Sequence, residues 1–74
     1  MDPQATWNEM LDAIAGSDFE EAEAHALALL HWLDRRGFPP NTTTRTIPHL
    51  WNVVLCRSVC QTVLLVKEAV LEAS

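Results

Sequence analysis

Residues 47–74 are predicted to form one long helix with apolar residues around more than half of its circumference, which leaves few folds open to the chain. At about 100° per residue, the band expected to face the core contains Val53, Cys56, Val59, Cys60, Val63, Val66, Val70 and Leu71. A second apolar strip, on the far side or its flank, contains Leu50, Trp51, Val54 and Leu65. A core within one copy cannot easily use both sides, and a strip left outside the core is typical of an interface.

The small size of the chain strengthens this expectation. With 74 residues, of which 49% are apolar, it is predicted to be one globular domain, residues 1–74. A chain of this length hides only about 60% of the surface that its unfolded form exposes. Small domains therefore usually add a disulfide, a metal or a second subunit. We expect this one to be completed by oligomerisation or by a partner.

The first helix is predicted over about residues 3–15. Asp2 is a favourable N-cap and Pro3 fits the first helical position. An apolar stripe follows at helical spacing and consists of Trp7, Met10, Leu11 and Ile14. Gly16 is expected to end the helix in the left-handed conformation.

The second helix is predicted over about residues 18–36. Ser17 and Glu20 match a capping box, and Gly37 is expected to close the helix with Phe38 packed back on Leu33. The stripe expected to face the core is Phe19, Ala22, Ala26, Leu29, Leu30 and Leu33. The short link to the first helix requires an antiparallel hairpin.

The third helix is predicted over about residues 47–73, after a polar connector at residues 37–46. Thr46 is its expected cap, with Pro48 in the first turn. The fold class is therefore all-α: a three-helix mini-bundle made of an antiparallel hairpin and a longer carboxy-terminal helix.

Residues 16–33, with a turn, aromatic Phe19 and small Ala22, resemble the turn and second helix of a tetratricopeptide-type hairpin. Trp7 is displaced by a residue or more from the position that the tryptophan of that repeat would occupy. The chain has a single unit, whereas at least three such repeats normally stack on one another. Residues 32–40 also resemble a segment of short bacterial proteins of no assigned function. Neither resemblance implies an activity.

The charge of the chain is divided between its two ends. The net charge is −5, and eight acidic residues precede the first arginine, Arg35. An acidic face at Glu20, Glu21 and Glu23 fits an inhibitor or antitoxin-like protein that covers a basic site on a partner, or an ordinary solvated helix start. The five basic residues are scattered, which argues against direct binding of nucleic acid.

No basic region followed by an apolar run opens the chain, and charged residues interrupt its most apolar region. We therefore expect no signal peptide, no membrane span and a cytoplasmic location. Cysteines in that compartment are expected to be reduced.

The sharpest chemical pattern joins His49, Cys56 and Cys60, which spacings of seven and four place on one face of the third helix. Two thiolates and an imidazole are suitable ligands for zinc or copper(I), so a metal-binding module is one alternative. Buried cysteines in a band of valines explain the same pattern without a metal. We predict no cofactor and no enzymatic activity, because no activated nucleophile or phosphate loop is present.

The favoured function is a small non-enzymatic module or accessory subunit that docks onto a protein partner, or onto a second copy, through the third helix. The contacts predicted from the sequence are Leu50, Trp51, Val54, Leu65 and Trp32. Tryptophans on helix flanks are frequent interface hot spots. A structural role, in which Trp32 and Trp51 cover the edge of the bundle, explains their positions equally well.

Overall fold

A computed structural model describes residues 1–73. They form three helices, α1 (Pro3–Ala15), α2 (Phe19–Asp34) and α3 (His49–Ala73), and contain no strand. The fold is the predicted all-α three-helix bundle. Helix α1 has its predicted bounds, α2 is shorter at both ends and α3 begins two residues late, within the usual spread of helix ends. Ser74 of the predicted domain lies outside the described residues.

Helix α2 is central and packs against both α1 and α3. Two ion pairs show the direction in which α3 runs relative to α2. The Lys67 Nζ lies 2.6 Å from Glu23 Oε1, and the Arg57 Nη1 lies 3.1 Å from Asp34 Oδ1. The later residue of α3 thus meets the earlier residue of α2, so the two helices are antiparallel. Because α1 and α2 are joined by the short turn at residues 16–18, the bundle runs up, down and up.

The core lies between the three helices. Its buried apolar side chains are Trp7, Met10, Ala13, Ala22, Ala26, Leu29, Leu33, Cys56, Cys60 and Val63. Met10 of α1 and Cys60 of α3 touch through their sulfur atoms, 3.9 Å apart. Small alanines on α2 allow the flanking helices to approach closely enough for this contact.

The predicted core stripes extend too far at two places. On α1, Leu11 and Ile14 are 40% and 43% exposed, and Ala13 is buried instead. On α3, the predicted core residues Val66, Val70 and Leu71 are exposed. The turn between α1 and α2, at residues 16–18, is the end of the hairpin. The last turns of α3 lie near this end, where α1 and α2 can bury less of their surface.

The turn after α1 differs from the prediction. The left-handed residue is Ser17, with φ 57°, while Gly16 has φ −87°. The Ser17 and Asp18 N–H groups donate to the carbonyls of Ile14 and Ala13, which is a Schellman motif with serine in the left-handed position. Ser17 is therefore not the N-cap of α2.

The cap of α2 is Asp18, whose carboxylate accepts a hydrogen bond from the Glu21 N–H at 3.1 Å. The predicted capping box of Ser17 and Glu20 is therefore wrong: the cap lies one residue later, and the Asp18 N–H donates to the Ala13 carbonyl. The sequence signal was ambiguous because serine and aspartate are both good caps and stand side by side.

A second Schellman motif ends α2. Arg36, with φ 61°, occupies the left-handed position, and the Gly37 N–H donates to the Trp32 carbonyl at 2.9 Å. Phe38 does not pack back on the helix as predicted. It is 77% exposed and meets the His49 ring edge-on, with ring centroids 5.7 Å apart.

The connector at residues 37–46 is tied to the bundle by side chains. The Gln4 amide pairs with the backbone of Asn41, accepting from its N–H at 2.8 Å and donating to its carbonyl at 3.2 Å. Asn52 Oδ1 accepts from both the N–H and the hydroxyl of Thr42, at 3.1 and 2.9 Å. The Pro48 carbonyl accepts the first helical bonds of α3, so Thr46 is not its cap.

Replacing Asn52 with alanine should therefore lower the free energy of unfolding by about 1 to 3 kcal/mol, because the Thr42 N–H loses its partner in a part-buried place. Chemical denaturation measures the loss. The matched control is Asn8→Ala, an exposed asparagine of α1, which should change stability by less than about 0.5 kcal/mol. Equal effects of the two changes would show that the Asn52 contacts contribute nothing.

None of the helices within residues 1–73 is long and apolar enough to cross a membrane.

Candidate interaction surface on helix α3

The side of α3 that points away from the hairpin carries four large apolar side chains that are mostly exposed. Leu50 is 71% exposed, Trp51 64%, Val54 60% and Leu65 65%. At about 100° per residue, the mean direction of these side chains lies roughly 160° from that of Cys56, Cys60 and Val63. We call the four residues the outer patch.

Three residues of the outer patch form a continuous surface near the start of α3. Leu50, Trp51 and Val54 together line a shallow apolar depression. Leu65 lies on the same side, 11 residues beyond Val54, or about 16 Å along the helix. The outer patch is thus a broad amino-terminal cluster followed by one separate leucine.

Trp32, the fifth predicted contact, belongs to a different environment. It is half-buried on α2 and packs against the core. Its indole N–H donates to the Phe38 carbonyl at 2.7 Å, and its ring lies against Gly37. These contacts hold the end of α2 to the connector. Trp32 exposes less of its surface than Trp51 does, and its role as an interface anchor stays a prediction.

Two carboxylates of the predicted acidic face have partners within the chain. Glu23 is paired with Lys67, and Glu21 Oε1 lies 3.2 Å from His25 Nε2. Glu20 is exposed. A partner's basic site would therefore have to compete with Lys67 for Glu23 and with the His25 ring for Glu21.

The two thiols are in the core and out of reach of solvent. Cys56 and Cys60 are both 0% exposed and are free, not disulfide-bonded. The thiol hydrogen bond with Cys56, together with burial, raises the pKa of Cys60 far above its ordinary value. The Cys60 thiol therefore stays protonated, which is unfavourable for a nucleophile.

His49 is not close to these thiols. It is exposed at the start of α3, where its ring contacts Phe38. The spacing means only that His49 and the cysteines point in similar directions around the helix axis. Along the axis, His49 is nearly two turns, or about 10 Å, from Cys56. Within residues 1–73 no three histidine, cysteine or carboxylate side chains are grouped to hold a metal ion.

The sequence reasoning missed two features of this region. The first is Asn52, a buried polar residue that holds the connector through Thr42. The sequence does contain a signal for it, because Asn52 is a single asparagine between the apolar residues Trp51 and Val53. The second is a small apolar groove of about 110 Å³ between the helices, lined by Ile14, Phe19, Ala22, Val59, Thr62, Val63 and Val66. It requires the packed arrangement and has no local signature.

Comparisons of the chain with protein-family models, with curated proteins and with solved structures gave no match.

Proposed function

We propose that the chain is a non-enzymatic protein–protein interaction module that docks through the outer patch of α3. The observation that carries the proposal is the exposure of Leu50, Trp51, Val54 and Leu65, each at least 60%, on one side of one helix. Scattered exposed apolar residues are ordinary, but a contiguous group such as Leu50, Trp51 and Val54 is typical of a binding surface.

Covering this patch would contribute several kcal/mol to binding. Full burial of one leucine or valine side chain contributes about 1.5 to 3 kcal/mol. Tryptophan is among the residues that most often dominate an interface. Covering the four side chains would therefore offset a large part of the cost of association, which is about 4 to 15 kcal/mol.

The two alternatives have less support. An acidic inhibitor would depend on Glu20, Glu21 and Glu23, of which two already have cationic or imidazole partners within the chain. A thiol and imidazole metal module would depend on His49, Cys56 and Cys60, which lie in different environments. The outer patch groups exposed apolar side chains that the packing of the bundle does not use.

Replacing Val54 with aspartate should weaken association by at least about tenfold, because a carboxylate would be desolvated at the centre of the patch. Light scattering measures self-association, and affinity capture from an extract of the native host measures binding to another protein. The matched control is Leu11→Asp, which places the same charge at an exposed apolar position of α1.

The two variants separate the outer patch from apolar surface in general. We expect binding to persist in Leu11→Asp and to be lost in Val54→Asp. Equal binding by the two variants, or a native chain that neither self-associates nor captures a protein, would overturn the proposal.

A further inference from the structure

We propose that the occupant of the outer face of α3 is a second copy of the chain, paired antiparallel along α3 about a twofold axis between Ser58 and Gln61. This inference rests on the proposed function, since it names the partner that covers the outer patch. It is carried by the spacing of the residues on that face, by their charges and by the small core of a single copy.

The outer face repeats with the alternating spacing of three and four residues that lets two helices pair along their length. Seven positions follow this spacing from one end of α3 to the other, and every one of them is exposed: Trp51, Val54, Ser58, Gln61, Leu65, Glu68 and Glu72. The stripe spans about 31 Å of helix. A second α3 can therefore lie against it over most of its length.

The antiparallel register pairs the middle of this stripe with itself, while farther from the axis Trp51 lies opposite Glu68 of the second copy. With the axis between Ser58 and Gln61, Val54 lies opposite Leu65 of the second copy, and symmetry repeats that contact on the other side. Ser58 then faces Gln61 of the second copy, and two such polar pairs can hydrogen-bond near the axis. An isolated apolar residue, Leu65, thus gains an apolar partner that its own chain does not provide.

The charges along α3 favour the antiparallel direction. The carboxy-terminal part of the stripe is acidic, with Glu68 and Glu72, while the amino-terminal end of α3 is the positive end of the helix dipole and follows Arg45 by four residues. The same register places Glu72 at the level of residues 45–49 of the second copy. A parallel pair would instead set each glutamate against its own counterpart, and like charges in contact are unfavourable.

The core of a single copy gives an independent reason for a second subunit. Among the residues whose burial is described, 1–72, it contains ten buried apolar side chains, four of which are alanine or cysteine on α2 and α3: Ala22, Ala26, Cys56 and Cys60. Both cysteines are free, and residues 1–73 hold no cluster suited to a metal. Of the usual reinforcements of a small domain, oligomerisation is the one that this chain's surface can provide.

Charge exchange at the Val54 and Leu65 contact tests both the partner and the direction. Val54→Lys and Leu65→Glu should each weaken the dimer by at least about thirtyfold. The reason is that the twofold axis places each charged side chain at two apolar contacts in the dimer. The double variant V54K/L65E should recover at least about tenfold of that loss, because lysine then faces glutamate across both contacts. A parallel pair would set lysine against lysine and glutamate against glutamate.

The measurement is sedimentation equilibrium from about 1 to 300 µM, a range that covers weak dimers. All substituted positions are exposed, so circular dichroism should give the native helicity for each variant. An equimolar mixture of the two single variants is a second readout, since antiparallel pairing gives it one lysine–glutamate contact and one native contact. The mixture should associate more tightly than either variant alone.

A native dimer that behaves in this way supports the inference. A dimer whose double variant and mixture are no tighter than the single variants would overturn the antiparallel register. A native chain that remains monomeric over the whole range would overturn self-pairing altogether. That last result leaves the proposed function to be decided by capture of a different protein with the Val54→Asp and Leu11→Asp variants.

Discussion

Replacing Leu29 with alanine should lower the free energy of unfolding by about 2 to 5 kcal/mol. Leu29 is 0% exposed and belongs to the core cluster on the central helix, which packs against both other helices. Removing three carbon atoms there loses their transfer free energy and leaves a cavity that backbones on two sides cannot easily close. A chain of this size has about 4 to 11 kcal/mol of total stability, so much of it would disappear.

The matched control is Leu27→Ala, two residues earlier on the same helix and 50% exposed. It removes the same atoms with the same change in helix propensity, and we expect a loss of less than about 1 kcal/mol. Urea denaturation at low protein concentration gives both values without a contribution from association. A difference between the variants smaller than about 1 kcal/mol would contradict the described core.

Replacing Gly37 with alanine should lower the free energy of unfolding by about 1 to 3 kcal/mol through overpacking. A Cβ at this position would overlap the indole ring of Trp32, at 2.5 Å from its Nε1 atom. The ring cannot move away without breaking the hydrogen bond from that nitrogen to the Phe38 carbonyl. The change should therefore also loosen the connector.

The other glycine is the natural control for this change. At Gly16, φ is −87° and the nearest atom to an added Cβ is the Asp12 carbonyl oxygen at 3.5 Å, an ordinary contact. Gly16→Ala should be neutral, or stabilising by up to about 1 kcal/mol, because the unfolded chain loses freedom. Tryptophan fluorescence should shift in Gly37→Ala and not in Gly16→Ala. Equal stabilities for the two variants would refute the role assigned to Gly37.

The number, order and approximate extent of the helices could be predicted because their signals are local. Asp2 and Pro3 start α1 at the predicted residue, and the apolar spacing through Trp7 and Met10 marks its buried side. The exposure of Leu50 and its neighbours also agrees with the predicted strip, because residues on opposite sides of one helix cannot both enter the same core. Whether the strip binds a protein remains a proposal.

The helix ends were harder to predict because several residues there compete. Glycine is the residue expected in the left-handed position, yet Ser17 and Arg36 occupy it, each beside a glycine. At the second turn Gly37 lies against the Trp32 ring, where an added Cβ would overlap it, and Arg36 takes the left-handed position. A cap preference of about 1 kcal/mol is small enough to be overruled by such a contact.

The sequence alone determined the number and order of the helices, the all-α class and the excess of apolar surface on α3, because these follow from apolar periodicity along the chain. Only the tertiary structure decided which sulfur atoms meet in the core, how Gln4 and Asn52 fix the connector, and where the cover of α3 ends. Such contacts depend on the lengths and offsets of helices packed side by side. Those offsets are set by the fit of many side chains at once, which no single segment encodes.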